Sequence, residues 1–83
     1  MGVVDTAWQK VRRFALMTIS VNGQPQEVAV NLTVATLLQQ LDLQPDRVAV
    51  EVNLKILDRS SFNTWNLKEG DHVEILSFIG GGR

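Results

Sequence analysis

Apolar and polar residues alternate along Met17-Thr18-Ile19-Ser20-Val21, the two-residue period of a strand with one face in a core and one in water. Asn22-Gly23 follows, a pair that accepts positive φ at both positions of a tight hairpin turn. Pro25 closes this loop, and Gln26-Glu27-Val28-Ala29-Val30 reads as the returning strand with Val28 and Val30 facing inward. The period then changes. Val34, Leu37, Leu38 and Leu41 fall at i, i+3, i+4 and i+7, one apolar face of a helix that Thr33 would cap and that runs to about Leu41. Gln39 and Gln40 fall on the wet side, and Asp42 to Asp46, with Pro45, reads as a loop under which Leu43 tucks. Alternation returns in Val48-Ala49-Val50-Glu51-Val52. Asn53 then invites a tight turn into a short strand, Lys55-Ile56-Leu57. A longer connection, Asp58 to Leu67, carries Phe62 and Trp65 as core anchors. Gly70 supplies positive φ to the turn before the last strand, His72 to Phe78.

The order is a hairpin, a helix, two strands and a final strand. This is an α+β layout, with one helix across one face of a mixed four- to five-stranded sheet. It matches the β-grasp, or ubiquitin-like, arrangement, in which the first and last strands lie parallel in the middle of the sheet and the C-terminus leaves from its centre. In the last strand Val73 and Ile75 point one way and Glu74, Leu76 and Phe78 the other. With Val73 and Ile75 in the core, Leu76 and Phe78 emerge away from the helix as an apolar patch rimmed by Glu74 and Glu51.

Residues 1–16 stand apart. Val4, Trp8, Val11 and Ala15 share a weak helical stripe, and Lys10, Arg12 and Arg13 face Asp5 as the only acid, so this stretch is basic. A basic amphipathic helix suits a membrane surface or a partner; a docked helix, a disordered arm or an upstream start are the simpler readings. Residues 17–83 hold five basic and eight acidic side chains, a mildly acidic surface suited to a basic partner and unsuited to nucleic acid. The organisation expected is an extension over 1–16, a β-grasp domain over 17–79 and a glycine-rich tail over 80–83.

The chain has 83 residues and no cysteine. One modest core is all it can bury, and a disulfide framework, a thiolate metal site and a cysteine nucleophile are excluded. No run is long and apolar enough to cross a bilayer, and no signal-peptide pattern opens the chain, so the cytoplasm is the expected location and no membrane is expected as a partner. His72 is read as an ordinary surface residue. Ser60 and Ser61 have no activating context, and Arg59 is compatible with a structural or a contact role. No metal site and no bound cofactor are expected, and an enzyme in its own right is not.

The tail is the remaining chemistry. Ile79-Gly80-Gly81-Gly82-Arg83 follows a β-rich apolar run. Glycine loses more backbone entropy on ordering than any other residue, so a glycine run does not build structure; it makes a thread without side chains. Such a thread fits a narrow slot in another protein, or it is a frayed end.

The order of segments discriminates between these. Met17-Thr18-Ile19-Ser20-Val21-Asn22-Gly23, the helix segment Thr33-Val34-Ala35-Thr36-Leu37-Leu38-Gln39-Gln40-Leu41, Val48-Ala49-Val50-Glu51-Val52-Asn53 with Leu57-Asp58-Arg59, Leu67-Lys68-Glu69-Gly70-Asp71-His72-Val73-Glu74-Ile75 and Ser77-Phe78-Ile79-Gly80-Gly81-Gly82 together resemble the ThiS family of sulfur-carrier proteins of thiamin biosynthesis. The resemblance covers residues 17–83. The related MoaD family, the small subunit of molybdopterin synthase, usually carries prolines before its Gly-Gly end, and Ser77-Phe78-Ile79 has none.

The resemblance implies a protein co-substrate rather than a catalyst. Gly82 would carry the reactive carboxyl group, with Gly81 and Gly80 as its leader. A ThiF-like adenylyltransferase, using its own ATP and Mg²⁺, would adenylate Gly82; a sulfur-donor protein would convert it to a thiocarboxylate; and a ThiG-like thiazole synthase would take the sulfur. Phe78, Leu76, Ile79 and Glu74 are the expected docking residues. Arg83 departs from the family's glycine end, because it leaves Gly82 with a peptide carbonyl: either Arg83 is trimmed to free Gly82, or this end is not the native one, or the chain is not a carrier. A MoaD-like subunit and a ubiquitin-like binding module that is never activated are the alternatives.

Overall fold

A computed structural model describes residues 16–78. Its elements are β1 (Leu16–Val21), β2 (Gln24–Ala29), α1 (Val34–Gln40), β3 (Val48–Val52), β4 (Lys55–Ile56) and β5 (His72–Ser77), with single 3-10 turns at Pro45–Arg47 and Arg59–Ser61. The five strands form one sheet in the order β2-β1-β5-β3-β4. β5 is central, parallel to β1 and antiparallel to β3. A hairpin, a helix and a central parallel C-terminal strand make this a β-grasp fold.

The hairpin forms as its sequence dictates. Asn22 and Gly23, at φ 51° and 84°, join Val21 to its cross-strand partner Gln24. β2 begins earlier than its apolar pattern suggests. Pro25 is not loop but the partner of Ser20, tolerated because β2 is an edge strand whose outer side needs no donor. Val30 is not an inward strand residue: β2 ends at Ala29, and Val30 sits exposed in the turn beyond.

Thr33 caps α1 as expected, its hydroxyl accepting from the Thr36 N–H at 3.2 Å. Val34, Leu37 and Leu38 are buried against one face of the sheet, with Leu41 and Leu43 half-buried beside them. The facing residues are Ile19 and Val21 of β1, Val28 of β2, Val48, Val50 and Val52 of β3 and Val73 of β5, all buried. Phe62 and Leu67 close one end of this core, while Trp65 is only half-buried, packed on the core with the Lys55 ammonium 5.6 Å from its ring centroid. Leu57 is buried just after β4, which is a residue shorter than its apolar run.

Candidate functional site

The alternation of β5 sets out two faces. Val73 is buried beneath α1 and Ile75 is half-buried, whereas Leu76 is 64% exposed and Phe78, one residue past the strand, 54% exposed. The register extends this outer face sideways. Leu76 lies opposite Ala49, Glu74 opposite Glu51, and Glu51 opposite Ile56. Cross-strand partners share a face, so these residues form one surface on the side of the sheet away from α1. Leu54, in the β3–β4 turn, adjoins it.

Two polar networks hold β5 under that surface. The Asn22 amide reaches across the β1–β2 turn to the backbone of Ile75. At the start of the strand, Asp71 accepts from the Lys68 N–H at 2.8 Å and from Asn53 Nδ2 at 2.9 Å, and Asn53 Oδ1 accepts from the His72 N–H at 2.9 Å. The β3–β4 turn is thereby tied to the start of β5. His72 is exposed, its Nδ1 3.0 Å from Ser20 Oγ on the neighbouring strand. Arg59 takes a structural position, its Nε donating to the Pro45 carbonyl at 3.2 Å. Ser60 and Ser61 lie in a 3-10 turn whose Ser61 carbonyl accepts from the Trp65 N–H. No group of three or more metal-ligating side chains converges among the described residues, and none of their helices is long and apolar enough to cross a membrane.

Of the residues singled out by sequence, the structure brings Glu74, Leu76 and Glu51 onto one surface, and leaves Phe78 exposed one residue past the end of β5. Ile79, Gly80, Gly81, Gly82 and Arg83 lie outside the described residues, as does the stretch from Val4 to Ala15. Sequence reasoning missed Ile56 and Leu54 as members of the surface, because their placement depends on register. It also missed the roles of Asn22, Asn53 and Asp71 as cross-links, although all three lie in the turn motifs it noted.

The model of the ThiS family matches residues 19–82, from within β1 to the last glycine. The chain belongs to the ThiS family. A thiamine biosynthesis protein (ThiS) of Geobacter metallireducens superposes with a TM-score of 0.69 at 43% identity, covering 80% of this chain and 100% of that one. The sulfur carrier protein ThiS of Escherichia coli K12 is 32% identical over 66 residues, 80% of this chain and 100% of that protein. A thiazole synthase of Paramagnetospirillum magneticum is 39% identical over 66 residues, 80% of this chain but 20% of its own length. The chain thus spans about a fifth of the thiazole synthases it matches. The match ends at Gly82, and Arg83 lies beyond it.

Proposed function

We propose that this chain is a sulfur carrier for thiamin biosynthesis, a protein co-substrate whose Gly82 carboxyl group carries the sulfur. The observation that supports this most directly is the route of the chain: the central strand β5 ends at Ser77, and the sequence continues through Phe78-Ile79 into three glycines at the end of the ThiS family match. β5 pairs with β3 as far as Ser77, and the Phe78 N–H donates to the Arg47 carbonyl, so the root of the tail is held on that side while the glycines beyond carry no side chain to obstruct a narrow channel. Three extended residues reach about 10 Å at ~3.3 Å each, enough to carry a carboxyl group from the domain surface into a neighbouring active site.

The chemistry needs Gly82 as a free carboxylate, so a cellular peptidase first hydrolyses the Gly82–Arg83 peptide bond with water, releasing free arginine. A Gly82 carboxylate oxygen then attacks the α-phosphorus of ATP on a partner adenylyltransferase, and pyrophosphate leaves. ATP and Mg²⁺ belong to that partner, and the carrier itself binds no cofactor. The terminal sulfur of a donor persulfide attacks the acyl carbon and AMP leaves. A thiol cleaves the resulting acyl disulfide, leaving the thiocarboxylate on Gly82. Thiazole synthase then takes the sulfur; thiazole synthases that contain a segment similar to this chain support that pairing. Leu76, Phe78 and Glu74 offer the docking surface at the tail root, with Ile79, next in the sequence, as a further contact to the partner. Each transfer occurs in a partner's active site, so the carrier supplies no base or nucleophile beyond its own carboxyl group.

The test is intact mass. Protein isolated from its own cells is expected to have lost Arg83, and that trimmed chain, incubated with the adenylyltransferase, ATP, Mg²⁺ and the sulfur donor, is expected to gain the difference between sulfur and oxygen. Full retention of Arg83, with no ATP–pyrophosphate exchange, overturns the proposal in favour of a module that is never activated.

A further inference from the structure

Two features of the outer face run against local stability, and they lie together. Glu51 and Glu74 are directly opposite each other on β3 and β5. Like charges in that position destabilise a sheet. The carboxylates that take hydrogen bonds among the described residues are Glu69 and Asp71, so these two are not held by a neighbour. The nearest strand cation in sequence, Lys55, pairs with Val52 on the core side and lies against Trp65. Beside the glutamates, Leu54 is 89% exposed at φ 71°. The same chain shows what a turn of this kind prefers: Asn22-Gly23 holds φ 51° and 84° with glycine in the second place, whereas Asn53-Leu54 holds 52° and 71° with leucine there. A leucine in the left-handed region costs about 1–2 kcal/mol, and burial against the described residues does not offset that. Ile56, 72% exposed, completes the wall. Leu54, Ile56, Leu76 and Ala49 surround the two carboxylates in a shallow cleft of about 360 Å³.

We infer that this cleft receives an arginine side chain of thiazole synthase when that enzyme takes the tail. The inference rests on the carrier reading above and adds the specific contact. Opposed cross-strand side chains have Cβ atoms roughly 5 Å apart, so two carboxylates there present oxygens to both edges of one planar guanidinium. Apolar walls suit the weakly hydrated faces of that group better than they suit an ammonium. The cleft is continuous with the tail root through Leu76, so an enzyme that holds the tail covers it. The like-charge pair and the strained leucine are then costs to the free carrier that the complex relieves.

The experiment titrates the full chain with thiazole synthase from the same organism at two ionic strengths, alongside denaturant unfolding. Glu51→Gln with Glu74→Gln is expected to weaken binding about tenfold or more, to flatten its salt dependence, and to leave the fold as stable or more so. Leu54→Gly is expected to raise stability and also weaken binding. Wild-type binding matched by the Gln double variant, with the same salt dependence, overturns this inference and leaves the carrier reading standing. Wild-type chain that does not bind the synthase at all overturns the carrier reading, and this contact with it. Replacing Lys10, Arg12 and Arg13 by Gln separates a further source of cation: if that variant binds more tightly and loses its response to the glutamate substitutions, the occupant is the chain's own basic segment and the assignment to the enzyme is overturned. A wild-type dimer that the Gln variant dissolves does the same in favour of a second copy.

Discussion

Asn22 completes the hydrogen-bond ladder of Ile75 with its side chain. Its Oδ1 accepts from the Ile75 N–H at 2.7 Å, and its Nδ2 donates to the Ile75 carbonyl at 3.2 Å. The backbone N–H of Asn22 meanwhile donates to the Val73 carbonyl at 2.8 Å. β1 turns away into its hairpin after Val21, so without this amide β5 would lose its parallel neighbour two residues earlier. The side chain prolongs the pairing towards the root of the tail.

This predicts a separable cost. Asn22→Gly keeps a residue at home at φ 51° but removes both amide bonds, and is expected to lower stability by about 1–3 kcal/mol. Asn22→Ala adds the left-handed penalty, about 1 kcal/mol more. Urea unfolding of the pair checks both numbers, and hydrogen exchange at the Ile75 amide is expected to quicken in each. An Asn22→Gly protein as stable as wild type, with unchanged exchange, removes the role assigned to the amide.

Asn53 and Asp71 form one network, so their effects are expected to be non-additive. Asp71→Ala should cost about 1–2 kcal/mol and Asn53→Ala, which also places alanine at φ 52°, about 1 kcal/mol more, with the double variant below the sum by at least about 0.5 kcal/mol. A thermodynamic cycle measured by chemical denaturation gives the coupling directly. Additive losses would mean that the two side chains act separately.

Leu38 is fully buried under the sheet. Leu38→Ala removes packing that the short helix α1 cannot replace, and is expected to cost about 2–5 kcal/mol. Because isolated helices of this length are marginal in water, far-UV circular dichroism should show helix and sheet lost in one transition. A surviving sheet with a melted helix would show that α1 is not part of the cooperative unit.

Phe78→Ser tests docking at the tail root. Phe78 is 54% exposed, so its loss is expected to change stability by no more than about 0.5 kcal/mol. Affinity for the adenylyltransferase or for thiazole synthase is expected to fall about tenfold, as for an aromatic anchor at an interface. Calorimetric titration against each enzyme measures it, and equal affinities for variant and wild type would exclude Phe78 from both interfaces.

The sequence by itself determined the elements and their order. Alternation in β1 and β3, the i, i+3, i+4 spacing of Val34, Leu37 and Leu38, and the Asn22-Gly23 turn are local signals, because strand, helix and hairpin are selected by near neighbours along the chain. The facing of Val73 against Leu76 was legible for the same reason. Pro25 and Val30 were misplaced because the extent of an edge strand depends on what lies beside it rather than on its own pattern. The tertiary structure alone decided what meets what. That Asn22 bonds to Ile75, Asn53 to Asp71, and that Glu51 stands opposite Glu74 with Ile56 at its other side, follows from strand order and register between segments far apart in sequence. A shift of one residue in that register would turn every side chain of β5 to the other face, so the composition of the outer surface is fixed only once the buried valines of β3 and β5 have locked the strands together.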